Sequence, residues 1–240
     1  MSQKYPGGFI TKSPVAPTSS AASGMWTIDQ AMQLKKAGTW GTLPAIGAAF
    51  GGGFFAGQIS TAGNGIADYN LVVGPKSTSQ TTNQYKNAQT ATAGADSVIN
   101  GPQNTADMVA DGNSTVYPCA HFCNDLSTGG QTDWYMPAKN ELEVCYFNLK
   151  PAITSNNTSS GINANAVPAR ASNYTAGTPA RTSASAFQAG NSEAFDSDIY
   201  WSSTETSATN ASAQGFYYGT QYSRNKDNSD RVRAIRRVAV

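Results

Sequence analysis

The chain has 240 residues, a length that one all-β or mixed domain with a short appendage fills. Charged residues make up 13% of the chain, about half the usual share of roughly 25%, while aromatic residues reach 10%, which excludes a chain disordered through its charge. A net charge of +1 excludes a protein that binds nucleic acid through a global positive field. No apolar run approaches the roughly 18 residues of a membrane span, and the N-terminus has no signal-peptide pattern. We expect a soluble chain without membrane insertion.

The cysteine and histidine content limits the chemistry. Cys119, Cys123 and Cys145 are odd in number and too few to staple a small scaffold, so we interpret them as reduced, buried and small hydrophobic residues. His121 is the only histidine in the sequence, which removes most metal sites and most catalytic triads. We expect no metal ion, no cofactor and no enzymatic activity.

The N-terminal segment has the composition of an attachment arm. Residues 1–23 contain three prolines among Gly, Ser and Ala, which favours extended backbone over helix. Thr27 followed by Gln30 forms a capping-box pattern, and Gly38 stands where a left-handed residue would end the helix. Residues 1–44 are therefore interpreted as an extended arm and a short helix that attach the chain to a larger assembly.

The middle of the chain predicts a hairpin and three helices. Phe50 to Val73 has two apolar runs around a turn rich in Gly and Asn, which is typical of a β-hairpin. Asn104 to Gly112 predicts a helix of one or two turns. Apolar residues recur at helical spacing in Pro118 to Leu126 and again in Lys139 to Leu149, so all three cysteines fall on apolar helix faces.

The last ninety residues predict a long surface segment followed by strands. Residues 151–193 are rich in Ser, Thr, Asn and Ala and contain few large apolar residues, which indicates an irregular excursion over the surface. The final forty residues contain short β-prone segments separated by polar turns, which predicts a meander. Trp134 and Trp201 are predicted to fill the core, with sugar stacking as the alternative.

Four sequence blocks occur in one order along the chain. They are DWYMPAKNELEVCY at 133–146, YWSSTE at 200–205, the strand with Phe216, and VRAIRRV at 232–238. Together they resemble the C-terminal domain family of collagen-like bacterial adhesins, whose members carry the series D-W-Y-L-P-S-K-D-E-L, Y-W-S-S-S/T-E and V-R-A-V-R. The resemblance covers about residues 45–240. Ala138 departs from the family, which usually has Ser there, so the helix from Lys139 lacks a side-chain cap that typically adds about 1 kcal/mol.

The resemblance implies a fold class. The family is related to C-type-lectin-like folds, including the variable proteins of diversity-generating retroelements. We therefore expect an α+β, C-type-lectin-like domain with two helices against a small twisted antiparallel sheet, long irregular loops and the extended N-terminal arm. The segment GGFI followed by SGMWTIDQAMQLKKAGTW separately resembles the N-terminal signature of tail-fibre and other virion proteins of tailed bacteriophages.

The candidate contact surface lies late in the chain. Gln214 to Asn228 mixes Tyr, Asn, Gln, Ser and Arg, which combines rigid aromatic area with adaptable hydrogen bonding. In the retroelement variable proteins the corresponding segment carries the ligand-facing positions. By that resemblance, the ligand-binding residues are predicted to be Tyr217, Tyr218, Gln221, Tyr222, Arg224, Asn225 and Lys226. The alternative is a solvated turn with Tyr rings packed beneath it.

Two other patterns have structural alternatives. His121 and Asp125 have the spacing of a base and its orienting carboxylate, but helical phase places His121 off the Cys119 and Cys123 face. Six basic residues lie between Arg224 and Arg237, which is the pattern of a nucleic-acid patch. We expect instead that the terminal arginines pair with carboxylates. The carboxylates considered are Asp133, Glu141 and Glu205.

The predicted function is that of a non-enzymatic bacteriophage virion protein located in the virion, most simply a tail-fibre or fibre-tip adhesin. Its expected partners are other virion proteins through residues 1–44, a host-surface glycan or protein receptor, and further copies of the chain in a trimer. A capsid decoration or head-fibre protein is the first alternative. An enzyme of the formylglycine-generating type is disfavoured, because all three cysteines lie before residue 146.

Overall fold

The computed structural model describes residues 43–240, and within it residues 45–239 form one structural unit. The predicted extended arm and the helix between Thr27 and Gly38 lie outside the described residues. The strands are, in chain order, β1 (Ala49–Phe50), β2 (Gly53–Ile59), β3 (Tyr69–Val73), β4 (Gln80–Gln84), β5 (Ala166–Val167), β6 (Ile199–Glu205), β7 (Asn210–Gly215), β8 (Gln221–Asn225), β9 (Ser229–Arg233) and β10 (Ile235–Ala239). The helices are α1 (Lys76–Ser79), α2 (Gly101–Asp111), α3 (Pro118–Asn124) and α4 (Lys139–Leu149), with a 3-10 turn at Ser185–Phe187.

The first sheet contains the predicted hairpin as its strands β2 and β3. β2 and β3 pair antiparallel around the Gly-rich turn, with a register irregularity between Phe55 and Gly57. The strand order is β1-β2-β3-β10, and β5 pairs with β2. Because β10 pairs with β3 from Ile235 to Ala239, the end of the chain is tied to its first hairpin. The hairpin prediction is confirmed.

A second sheet of five strands has the order β4-β9-β6-β7-β8. Its neighbours are antiparallel except β6 and β9, which are parallel and meet at Tyr200 and Arg231. The expectation of one small sheet is therefore wrong, because the domain has two sheets of five strands each. The edge strand β4, with the sequence QTTNQ, pairs along its whole length with β9. This strand has no alternation of apolar residues, so the sequence pattern does not indicate it.

The three longer helices differ in how their first turns are capped. Asn100 caps the N-terminus of α2, because its side chain accepts a hydrogen bond from the Gln103 backbone amide, and α3 has a proline in its first turn. α4 spans the predicted residues and has no side-chain cap at Ala138. The Glu141 carboxylate compensates in part, since it accepts a hydrogen bond from the Ala138 amide at 2.8 Å. Three helices of seven or more residues, and not two, pack on the sheets.

Two hydrophobic clusters lie on opposite faces of the second sheet. Tyr200 and Phe216 belong to the cluster that also holds α4 and the first hairpin. The neighbouring Trp201 points the other way into the cluster beneath α2 and α3, together with Trp134. Both tryptophans are at most 2% exposed, so their predicted core role is confirmed.

The three cysteines are free thiols and are fully buried in these clusters, as predicted. Burial raises the pKa of each thiol well above its ordinary value. Within residues 43–240, no helix is both long and apolar enough to cross a membrane. The described fold is thus α+β, with four helices and two mainly antiparallel sheets.

Candidate functional site

The turn between β7 and β8 is hydrogen-bonded to the loop that contains Thr154 and Asn157. The Tyr217 carbonyl accepts a hydrogen bond from the Thr154 hydroxyl at 2.6 Å, and the Tyr218 carbonyl accepts one from the Asn157 amide at 2.7 Å. Gly219 has φ +74°, and a Cβ there would come within 2.3 Å of the Tyr146 ring. The turn therefore has a defined conformation, in which Tyr218 is exposed and Phe216 is buried.

The three tyrosines of this hairpin differ in their exposure. The Tyr218 side chain is 51% exposed and packs edge-on against the Tyr217 ring, with centroids 5.2 Å apart and planes at 90°. The Tyr217 and Tyr222 hydroxyls are hydrogen-bonded to each other. Desolvation, helped by that hydrogen bond, raises the pKa of Tyr217 to about 12. Tyr217 and Tyr222 thus support Tyr218, which is the tyrosine most available to a ligand.

The polar residues of β8 lie on two faces of the strand. Arg224 shares a face with Tyr222 and makes a two-pronged ion pair with Asp230, with Nη2 donating to Oδ1 at 2.9 Å. This hydrogen bond raises the pKa of the guanidinium. On the other face, the Asn225 side chain accepts a hydrogen bond from the Gln89 side chain at 2.6 Å. The backbone amide of Gln221 donates to the Ser160 hydroxyl at 3.0 Å. Six of the seven predicted contact residues therefore lie at or near the surface, divided between two faces.

Lys226 does not belong to this surface. Its side chain is 0% exposed, and its ammonium group donates to Glu205 Oε2 at 2.7 Å and to the carbonyls of Thr90 and Ala208 at 2.9 and 3.0 Å. The prediction of a ligand contact at Lys226 is wrong, because the charge is used to join three segments of the fold. Desolvation lowers the pKa of this lysine, and the hydrogen bond to Glu205 opposes that effect.

The terminal arginines pair with carboxylates, as expected. Arg236 binds Asp133 through two nitrogens at 2.6 and 2.8 Å, and the Arg237 Nε donates to the buried Glu141 at 2.7 Å. Arg233, which is 1% exposed, pairs instead with Glu193 at 2.8 Å. The expected use of Glu205 is therefore wrong in detail, since Lys226 is its partner. Each of these three arginines thus has a carboxylate partner.

His121 and Asp125 border a surface depression of about 460 Å³ next to α3. The His121 Nε2 lies 2.8 Å from the Gly112 carbonyl oxygen, and Nδ1 lies 3.7 Å from Asp125 Oδ2. The imidazole is thus tied to the backbone, and the carboxylate is beyond hydrogen-bonding distance. Within residues 43–240, no three His, Cys, Asp or Glu side chains are grouped so that they could hold a metal ion.

The sequence did not single out a pocket of about 300 Å³ between α4 and the loop that follows β5. Its wall contains Phe147, over which the Arg170 guanidinium lies at 4.1 Å from the ring centroid. Behind it, the buried Glu143 accepts hydrogen bonds from Tyr174 and Asn163, both at 2.6 Å. In the sequence, Glu143 and Arg170 are charged residues with apolar neighbours, and this was the only indication that they pair in the interior. Their separation of 27 residues gave no pattern.

Comparison with known proteins gives a family match and one structural likeness. The model of the Lcl C-terminal domain matches residues 80–236. A crystal structure of a fimbrial protein from Bacteroides ovatus is similar at 16% identity and a TM-score of 0.41. The alignment covers 73% of this chain and 36% of that chain, so this chain spans about a third of the length of the fimbrial protein. No curated protein matches.

Proposed function

This chain belongs to the Lcl C-terminal domain family, and we propose that it is a non-enzymatic adhesin whose β7–β8 hairpin contacts a receptor on a cell surface. The observation that carries the proposal is the exposed Tyr218 ring, which is backed by Tyr217 and fixed by the loop at Thr154 and Asn157. Aromatic side chains held in this way supply contact area at low entropic cost.

The surroundings of Tyr218 support recognition by neutral groups. Ile153, next to Thr154 in the supporting loop, is 83% exposed and adds apolar area. Arg224 is neutralised by Asp230, and Lys226 is withdrawn into the core. The contact surface we propose therefore has Tyr218 at its centre, with Tyr217, Tyr222 and Arg224 beside it. Gln221 and Asn225 lie on the other face of β8 and are not part of this surface.

We further propose that this adhesin is a fibre-tip protein of a tailed phage, located in the virion, with residues 1–44 joining it to other virion proteins in a trimer. The support is the resemblance of the N-terminal segment to phage virion proteins. We also propose a C-type-lectin-like fold for the domain. Its support is the pair of curved sheets, the helices packed on them, and the largely irregular stretch between α4 and β6.

The experiment compares binding of the fluorescently labelled full chain to a panel of bacterial and epithelial cells. We expect saturable binding to some cells, and Tyr218→Ala should weaken it about thirtyfold, the effect of losing a central anchor worth about 2 kcal/mol. Ile66→Ala is the matched control, because Ile66 is 69% exposed at the turn between β2 and β3. Equal binding of the Tyr218→Ala variant and the unaltered chain would refute the assigned surface. Binding to epithelial cells alone would refute the phage setting.

A further inference from the structure

The strand β4 forms an open edge of the second sheet. In the described part of the chain, β9 is the only strand that pairs with it. The Ala234 amide donates to the Ser79 carbonyl at 2.8 Å, which fixes the alternation of hydrogen bonds along the ladder. The backbone groups of the second and fourth residues of β4 therefore point toward β9. Those of Gln80, Thr82 and Gln84 point away from it and have no hydrogen-bond partner among the described residues.

This edge lacks the features that normally keep sheet edges apart. Natural edge strands are very short, or they carry charged residues, prolines or bulges. β4 has five residues with the sequence QTTNQ, so it holds no charge and no proline, and its pairing with β9 is regular throughout. Thr82, in the middle of the strand, is exposed. A second strand can therefore reach the outward backbone groups.

The other sheet edges among residues 43–240 are short, charged or occupied. β1 and β5, at the edge of the first sheet, have two residues each. β8 carries Arg224, and its Gln221 amide already donates to the Ser160 hydroxyl at 3.0 Å. β10 carries two arginines and is bridged to Tyr135 by backbone hydrogen bonds of 2.9 and 3.0 Å. In the described fold, β4 is thus the edge that is long, uncharged and free.

We infer that β4 pairs with β4 of a second copy of this chain, about a two-fold axis at Thr82. In antiparallel pairing centred there, Thr82 faces its own copy, and Gln80 faces Gln84 of the partner subunit on both sides of the axis. These are the residues whose backbone groups point outward, so each facing pair exchanges both of its hydrogen bonds. A Thr–Thr pair across strands is favourable, and no like charges meet.

Side chains beside β4 extend the contact. Asn83 borders the depression of about 460 Å³ next to α3, together with Phe122 and Leu126. The two-fold axis is perpendicular to the sheet, so the two depressions lie on the same side of the joined sheet, one on each side of the axis. A strand of five residues is small for a stable dimer, and partly exposed apolar side chains at this position supply further area for the interface.

The pairing leaves the proposed contact surface free. β8 lies at the opposite edge of the second sheet from β4. Two copies joined at β4 form one continuous sheet with a β8 strand at each outer edge, roughly 40 Å apart at about 4.8 Å per strand. The pairing does not rest on the proposed adhesin function. For an adhesin it presents two Tyr218 surfaces, and two weak contacts raise the overall affinity through effective concentration.

The test is light scattering of the full chain at about 100 μM, which detects pairing with a Kd of about 10 μM or tighter. Thr82→Lys places like charges opposite each other at the two-fold axis, and we expect it to reduce the mass to half or less. This ratio holds for a single chain and for the proposed trimer alike, because β4 pairing joins either one to a further copy. Ser223→Lys is the matched control, since Ser223 is exposed on β8 at the opposite edge of the same sheet, and this variant should keep the full mass.

A charge swap separates pairing from any structural effect of the substitution. Thr82→Glu should lose the same mass, and an equimolar mixture of the Thr82→Glu and Thr82→Lys chains should regain it, because unlike charges then meet at the axis. Each variant should melt within a few degrees of the unaltered chain, as surface substitutions do.

Three outcomes would overturn the pairing: equal masses of the unaltered chain and the Thr82→Lys variant, a loss of mass by Ser223→Lys, or a mixture that stays at the reduced mass. Tyr218→Ala should leave the mass unchanged while it weakens cell binding. Failure of the pairing and failure of the proposed function are therefore read from separate measurements.

Discussion

The Lys226→Met substitution tests whether Lys226 is a buried partner of Glu205 and not part of the contact surface. The change removes the cation from a pair in which Lys226 is 0% exposed and Glu205 is 8% exposed, and it leaves the Glu205 carboxylate buried. That carboxylate then keeps only the hydrogen bonds from the Thr92 amide, at 3.0 and 3.2 Å. Removing one partner of a buried ion pair costs about 3–5 kcal/mol. For a domain of this size, each kcal/mol lowers Tm by about 2–4 °C, so we expect a loss of about 6–20 °C.

The assay is urea unfolding of the full chain beside a thermal melt. Lys139→Met is the matched control, since Lys139 is partly exposed and makes no ion pair within residues 43–240. The double variant Lys226→Met/Glu205→Gln should recover part of the loss, because no uncompensated charge remains in the core. A Lys226→Met protein with the stability of the unaltered chain would show that the lysine is solvated, and its assignment to the contact surface would then stand.

Three further results are expected. Trp201→Ala should cost about 3–5 kcal/mol in the free energy of unfolding, since the ring is fully buried and its Nε1 donates to the Asn83 carbonyl, and an unchanged urea midpoint would contradict this. The hydrogen bond from Arg236 lowers the pKa of Asp133. The Arg236–Asp133 pair therefore stabilises the fold above about pH 4, and this contribution is lost as the pH falls. Asp133→Asn should flatten the acid limb of a curve of unfolding free energy against pH. The three buried thiols should resist alkylation in the native protein and all react in denaturant, and mass spectrometry that found a disulfide would refute their reduced state.

The sequence predicted the helices better than the sheets. α4 has the expected bounds of Lys139 and Leu149, because apolar residues recur at helical spacing and Pro151 follows. The hairpin around the Gly-rich turn is also as expected. Local periodicity and turn chemistry determine both features, so both can be read from short windows of sequence.

Strand pairing across the chain could not be predicted in the same way. β4 is a polar strand whose partner, β9, is about 150 residues away, and neither has an apolar alternation that identifies the other. The position of Lys226 shows the same limit. Its neighbours in sequence are polar and exposed, but Glu205 at the end of β6 and the Thr90 carbonyl of the loop after β4 enclose it. Burial of a charged residue is a property of the tertiary arrangement, which composition does not report.

The charge distribution connects the fold with the proposed recognition. Nine of the twelve Lys and Arg side chains in residues 43–240 form ion pairs. Charges that are satisfied inside the molecule contribute little to long-range attraction of a charged partner. In the recognition we propose, the exposed ring at Tyr218 and the apolar area at Ile153 make the contact. Binding through such groups depends weakly on salt, so the adhesin we propose would draw its affinity from shape, stacking and the number of contacts made at once.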